Sequence, residues 1–400
     1  MEVTGIHMHE MSLQEAVVRA FSSKDIADQL VIDKLVKLVN KTQSRDDFDV
    51  TVPLNDSTWQ KCGGVGDIQL LDHKSASSKL PQHFQVKTWQ VLPNRAFLTL
   101  ERGPFVNWVF KRFKLPRGSK TEMKVINMEL EKASNSTNLT SLRCSMVAQI
   151  ASNLSIFSGA HKSTLKIGSS DRKYLKVDEK DLTCQIGAVV HPDTKKKIVD
   201  RTVSQVYDTL FNIQKNILME RSNPDMKSDQ FSANDGHLTR ANLTFQLMNS
   251  NPASSCLMKM EDCKEASFLL YNYTRIIHIL RGFKNGPYPK LAEAESIDWS
   301  ILDENEEWTL IFSYVSEYSR LIQSIGSDLA QGKLAIHRLC QFLIGLSNTF
   351  SRFYNRLPVL KEPRPNLLPL IFARIHLVQI VQKVLDHAFS LLQLEPVSNM

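Results

Sequence analysis

The stretch that decides the fold class runs Leu334-Ala335-Ile336-His337-Arg338-Leu339-Cys340-Gln341-Phe342-Leu343-Ile344-Gly345-Leu346-Ser347-Asn348-Thr349-Phe350-Ser351-Arg352-Phe353-Tyr354-Asn355-Arg356-Leu357. Leu339, Phe342, Leu343, Leu346, Phe350, Phe353, Tyr354 and Leu357 recur at steps of three and four, the period of a helix that turns one face to a core. An aromatic-rich stripe of this kind is first of all packing material, so the chemically informative residues lie off it. Arg352 and Arg356 stand one turn apart near the C-terminal end, where cations also complement the helix dipole. The prolines of Pro358-Val359-Leu360-Lys361-Glu362-Pro363-Arg364-Pro365 then stop the helix.

The same period continues on the N-terminal side. Phe268 to Phe283 carries a face of Tyr273, Ile276, Ile277 and Leu280, with Arg275 and Arg281 to its side, and ends at Gly282 and Gly286-Pro287. Ile297 to Ile325 predicts one or two helices through Trp299, Leu302, Trp308, Ile311, Phe312, Val315, Leu321 and Ile322. Asp298 and the run Asp303-Glu304-Asn305-Glu306-Glu307 suit a helix start. That acidic run repels phosphate, which predicts that it faces water or a protein. Residues 231–400 therefore read as an all-α bundle.

Three segments of this bundle, in order, resemble the DALR anticodon-binding domain of class I arginyl-tRNA synthetases. They are Tyr271-Asn272-Tyr273-Thr274-Arg275-Ile276, then Phe350-Ser351-Arg352-Phe353-Tyr354-Asn355-Arg356-Leu357-Pro358-Val359-Leu360, then Arg374-Ile375-His376-Leu377-Val378 onward through Val381, Val384, Leu385, Ala388, Leu391 and Leu392. The pattern departs at the tetrad that names the family. Ala241-Asn242-Leu243-Thr244-Phe245 keeps only the apolar positions, so no role of the tetrad's Asp and Arg carries over. Glu362-Pro363-Arg364-Pro365 and the acidic segment around Trp308 bring the chain nearest to family members that are not synthetases. That resemblance implies a non-catalytic adaptor without a cofactor. Such a protein recognises arginine tRNAs and recruits a tRNA 3-methylcytidine methyltransferase to their anticodon loop. On this reading Arg352, Arg356, Arg364 and Arg374 meet phosphates or stack on loop bases, Lys361 and Lys383 add charge, and Tyr354 either stacks or belongs to the core.

The competing expectation is a divergent or truncated ATP-dependent arginine–tRNA ligase. Such an enzyme needs a His-x-Gly-His element to stabilise adenylation, and no two of the eleven histidines stand three residues apart. The only hint of the later lysine-serine loop is Met226-Lys227-Ser228. No zinc-hydrolase histidine pair, nucleophile elbow or phosphate-binding Walker loop is present in the sequence. Cys256 and Cys263 have no matching second pair, which argues against zinc.

Upstream, the pattern is mixed. Met11 to Asn40 reads as one or two helices, and Cys62-Gly63-Gly64-Val65-Gly66 as a tight turn. Phe84, Val86 and Thr88, then Ala96 to Leu100, alternate as strands do, and a helix follows over Glu101 to Trp108. Directly after it, Lys111, Arg112, Phe113, Lys114 and Arg117 interleave cations with aromatics, the composition of a secondary RNA surface. The bland reading of that stretch buries Phe105, Trp108, Val109 and Phe113 and leaves the cations merely solvated. Lys124 to Gly159 is helical around Leu142 and Ile150, and Lys162 to Arg201 holds short strands with Lys195-Lys196-Lys197 in a loop. A helix covers Val203 to Leu218. The expected organisation is thus a small α+β domain over 1–120, an α/β-like region over 121–230 that ends in a linker at Arg221–Ala233, and the all-α domain over 231–400.

The 400 residues are 42% hydrophobic and 23% charged, which places the chain among ordinary globular proteins. A net charge of +7 suits a polyanionic partner without requiring one. Six scattered cysteines fit a reduced cytoplasmic chain, with the nucleus left open. No uncharged apolar run approaches the ~18 residues of a membrane span, and Met1 to Ala20 mixes charges among its apolar residues, so neither a membrane nor a signal peptide is expected.

Overall fold

The computed structural model describes residues 11–21, 32, 35–39, 48–54, 58–59, 76, 78–119, 123–128, 138–159, 163–169, 181–221, 231–259 and 264–396. The glycine turn at Cys62–Gly66, Met226-Lys227-Ser228 and most of the Arg221–Ala233 linker lie outside them. Two compact units share the chain. One comprises Met1–Phe113 with Ala292–Ser313, the other Lys114–Leu291 with Tyr314–Met400.

In the first unit, helix α1 (Leu13–Phe21) buries Leu13, Ala16, Val17, Ala20 and Phe21. An antiparallel sheet has the order β1-β2-β4-β3, built from β1 (Lys37–Leu38), β2 (Val50–Pro53), β3 (Val86–Leu92) and β4 (Arg95–Leu100). Ala96, Leu98 and Leu100 all face the core, as their alternation predicts. Asp49 is buried against the sheet, and its carboxylate accepts from Leu100 N at 2.8 Å and from Trp308 Nε1 at 3.0 Å. Helix α2 (Arg102–Arg112) buries Phe105, Val106, Val109 and Phe110. Phe113 is half-buried and Lys111 and Arg112 are exposed, so the cations lie off the packed face.

Aromatic packing on α2 explains why Ala292–Ser313, which interrupts the helical region in sequence, belongs to this unit. Phe110 stacks on Trp299 with centroids 3.9 Å apart, and Phe105 meets Trp308 at 5.3 Å and Phe312 at 5.5 Å. Anchoring two tryptophans here breaks the continuous helices expected over 297–325. The segment instead forms 3₁₀ turns at Ala294–Ser296 and Trp299–Ile301, a short helix Asn305–Leu310 and a π-helical turn Ile311–Val315. The acidic run is divided as well. Asp303 and Glu304 face water, but Glu307 is turned inward and completes a capping box with Glu304.

The second unit begins with three parallel strands in the order β5-β6-β7, namely β5 (Lys124–Asn127), β6 (Thr164–Ser169) and β7 (Asp181–Ile186). Helix α3 (Leu139–Ser155) connects β5 to β6 and packs on the sheet. After β8 (Val189–Val190) come α4 (Val203–Arg221), α5 (Phe231–Met248), β9 (Cys256–Leu257), which pairs in parallel with β8, and α6 (Lys264–Asn285). Helices α7 (Tyr318–Ala330), α8 (Ile336–Arg356) and α9 (Leu368–Leu392) complete the bundle. Length and apolarity alone would let α9 cross a membrane. Its Ile371, Leu377, Val378, Val381 and Leu385 are instead buried, and α3 and α6 pack against it.

Sheet and bundle are fastened at Arg143 on α3, which is fully buried. Its guanidinium donates to Leu247 O at 3.0 Å, Gly187 O at 2.8 Å, Ser254 O at 2.7 Å, Ser250 Oγ at 2.9 Å and Asn251 O at 3.1 Å. Backbone carbonyls from the end of α5, the loop after it and the β7–β8 turn thus replace water around one cation. Burial lowers its pKa below the usual arginine range.

Candidate functional site

The exposed face of α6 and its packing on α8 build the site. Tyr273, Ile276 and Ile279 point into the core, which leaves Tyr271, Arg275, His278 and Arg281 toward solvent. The two helices run in the same direction. Arg275 meets Ser351 and Tyr354, and Gly282, two turns further, comes against Leu360 just beyond α8. Two large rings stay out of the core here, Tyr271 at 43% exposure and Tyr354 at 40%.

Between them sits the Arg275 guanidinium, 4.3 Å from the Tyr271 ring centroid and 4.8 Å from that of Tyr354. It donates to Tyr271 Oη at 3.1 Å and makes a long contact to Ser351 Oγ at 3.4 Å. Tyrosine–arginine spacing of four puts the first pair on one helical face, and the α8 residues close the stack from the side. The result is a preformed cation held between two accessible π-faces. Chemically it offers stacking surface to a flat ring and charge to an anion beside it, and it contains no acid, base or nucleophile set for covalent chemistry.

The remaining expected residues divide. Arg352 and Arg356 are exposed on the outward side of α8. Tyr354 lies on the flank toward α6, because residues two apart on a helix do not share a face. Arg364 is exposed and pairs with Glu362 two residues away at 2.6 Å. Lys361 is half-buried, and its carbonyl accepts from Tyr288 Oη at 2.9 Å. Lys383 is exposed on α9. Arg374 corrects the sequence reading, since it is only 4% exposed and donates to Pro358 O at 3.0 Å. It pins the loop after α8 to α9 and is unavailable to a ligand. Of the N-terminal cations, Lys114 and Arg117 are exposed on an extended segment whose Lys114 O accepts from Ser319 Oγ at 3.0 Å.

Among the described residues around the parallel sheet the chemistry is sparse. A doubly wound sheet receives nucleotides at the carboxyl ends of its strands, near the first helix start. That start reads Asn138-Leu139-Thr140-Ser141. Asn138 caps the helix by accepting from Ser141 N at 2.8 Å, and Thr140 Oγ1 accepts from Val189 N at 3.1 Å. Among the described residues no group of three or more His, Cys, Asp or Glu side chains is arranged to hold a metal ion. Cys184 and Cys340 are buried thiols, and burial pushes the Cys184 thiol up to about 11, so neither is primed as a nucleophile.

The segment holding the Tyr271–Arg275–Tyr354 stack matches the family model described as "DALR anticodon binding domain", over residues 269–400. Residues 269–400 are a DALR domain. The DALR anticodon-binding domain-containing protein 3 of Mus musculus is 30% identical over 176 residues, which cover 41% of this chain and 33% of that protein. The cytoplasmic arginine–tRNA ligase of Gallus gallus is 27% identical over 180 residues, covering 44% of this chain and 26% of the ligase. The chain thus spans about a third, or less, of the curated relatives it matches. Among solved structures, the Thermus thermophilus arginyl-tRNA synthetase superposes with a TM-score of 0.64 at 11% identity, covering 97% of this chain and 99% of the synthetase chain. That likeness concerns fold, and it extends the DALR domain's helical bundle to the mixed α/β architecture before it.

Proposed function

We propose that this chain binds transfer RNA at the anticodon arm, through the face of the DALR domain that carries Tyr271, Arg275 and Tyr354. The single observation that supports the reading is the arginine held between two exposed tyrosines, inside a domain whose family is named for anticodon binding. Loop bases are unstacked and present π-faces, which aromatic rings and guanidinium planes take up without needing a particular base. Exposed Arg352 and Arg356 on the next helix add charge for the backbone.

The finer reading is a non-catalytic adaptor in the cytoplasm that recognises arginine tRNAs and brings a tRNA 3-methylcytidine methyltransferase to them. It rests on the likeness to DALR anticodon-binding domain-containing protein 3 over 176 residues and on a sequence without a His-x-Gly-His element. Competition binding with arginine tRNAs against other tRNAs tests the substrate, and 3-methylcytidine mapping in cells that lack the chain tests the role. Equal affinity for all tRNAs, or unchanged methylation, removes the finer reading.

Fold likeness to a synthetase over nearly the whole chain is what favours the competing reading, a tRNA ligase. Against it stands a sequence without a His-x-Gly-His element, and the described first turn of α3, Asn138 to Ser141, carries no histidine to stabilise adenylation. Arginine-dependent adenylate formation by the purified protein would establish the ligase and end the adaptor reading.

A further inference from the structure

A second charged feature lies in the same unit, away from the tyrosine stack in sequence and unused by it. Between β8 and α4 the chain folds back on itself over His191–Arg201. His191 N donates to Lys196 O at 2.9 Å, Lys195 N to His191 O at 3.1 Å and Ile198 N to Val189 O at 3.0 Å. Lys195 takes the left-handed conformation at φ 56°, a position better suited to glycine or asparagine. Ile198 is buried as an anchor, while the next residue, Val199, is 78% exposed. The hairpin thus holds Lys195 and Lys196 outward on a backbone that is already ordered.

Charge around it is unbalanced. Lys195, Lys196, Lys197 and Arg201 face two carboxylates, Asp193 and Asp200, and Asp200 is occupied by His191 Nε2 at 3.3 Å. Arg201 stands immediately before α4, whose start is closed by Thr202 and Gln205 bonding to each other's backbone amides. No acidic residue occupies the first turn of α4. Asp200 and Arg201 together flank the start of this 19-residue helix, so the excess positive charge of the hairpin lies on Lys195 and Lys196 at its exposed turn. An exposed valine between these cations gives ribose an apolar contact and gives a free carboxylate nothing.

We infer that the His191–Arg201 hairpin is a second RNA contact, which grips the phosphodiester backbone through Lys195, Lys196 and Arg201. It reads no sequence. This inference rests on the tRNA-binding reading above and extends it to a surface outside the DALR domain. Its contribution is electrostatic, so it follows counterion release, about 0.9 in the logarithmic salt slope per phosphate contact.

The test uses the full chain and a purified transfer RNA, with affinity followed across salt concentrations. Lys195→Glu with Lys196→Glu lowers affinity at least tenfold at low salt and reduces the slope by about 2. Circular dichroism melting of the same variant checks the fold, and the milder pair Lys195→Gln with Lys196→Gln gives a smaller loss in the same direction. If both pairs bind like the unaltered chain while Arg275→Ala weakens binding, the hairpin is not an RNA contact and the tyrosine site stands. If the unaltered chain binds no transfer RNA, both readings fall. Loss of a co-purifying acidic protein with no change in RNA affinity also overturns the inference and reassigns the hairpin to protein docking.

Discussion

Arg275 and Arg143 show how surroundings set the use of the same side chain. Arg275 keeps its guanidinium at the surface between two rings, where such contacts hold it by roughly 0.5–1 kcal/mol each and leave it free to meet a ligand. Arg143 spends its donors on buried carbonyls and is inert. Arg143→Met removes the donors and leaves several acceptors without water, so it is expected to destabilise the second unit by about 3 kcal/mol or more, read as a lower midpoint in urea. Titratable residues give a pH dependence. Tyr318 Oη lies 2.6 Å from His387 Nδ1, and burial lowers the pKa of His387 below 6.5, with His337 and His83 lowered the same way. Below pH 6.5 the unfolded chain takes up protons that the folded chain refuses, so stability is full above that pH and falls as pH drops through it. Melting temperature should decline from pH 7 to pH 5.5, with a shallower decline in His387→Gln; a flat profile contradicts the assignment. Burial itself was only half legible at this scale. Arg352 and Arg374 read alike in sequence as arginines on amphipathic helices, and only the position of the Pro358 carbonyl separates a surface cation from a structural one. Tyr271 and Arg275 carried a readable signal, a tyrosine–arginine pair four apart and off the apolar stripe, yet neither was among the expected tRNA-binding residues.

Elements pack here through close approaches that spacing alone does not reveal. Gly326 on α7 has no room for a side chain, because a Cβ there would lie 2.4 Å from the carbonyl oxygen of Phe157, at the end of α3. Alanine in an exposed helix position normally stabilises relative to glycine. Gly326→Ala should instead cost about 1–3 kcal/mol, since the obstacle is backbone that cannot rotate away. A melting temperature equal to or above that of the unaltered chain would show that α7 and α3 do not pack this closely. Periodicity gave α6, α8 and α4 close to their observed extents, because each has one continuous apolar stripe. It failed over 297–325, where Trp299, Trp308 and Phe312 do sit at helical intervals but are claimed by the aromatic face of α2. A contact about 200 residues away in sequence overrode the local preference. The β5 strand was missed for a different reason, as four residues, none of them fully buried, are too few to show a period.

At the scale of the molecule, a parallel sheet and a helical bundle share one compact unit, with Arg143 and the β8–β9 pairing as its fastenings. The chain shares its fold with a synthetase, the recognition surfaces proposed above lie on the bundle and the hairpin, and the described start of α3 is closed by the Asn138 cap. The central claim is that the DALR domain of this protein takes up an RNA loop on the Tyr271–Arg275–Tyr354 stack. The most direct measurement is the affinity of the full chain for an arginine tRNA, compared with Tyr271→Ala and Arg275→Ala at one fixed salt concentration. Stacking on an aromatic ring contributes about 1–3 kcal/mol per base, so each variant should bind roughly 5- to 150-fold more weakly while melting like the unaltered protein. Unaltered affinity in both variants, with the unaltered chain bound to the same tRNA, would contradict the account.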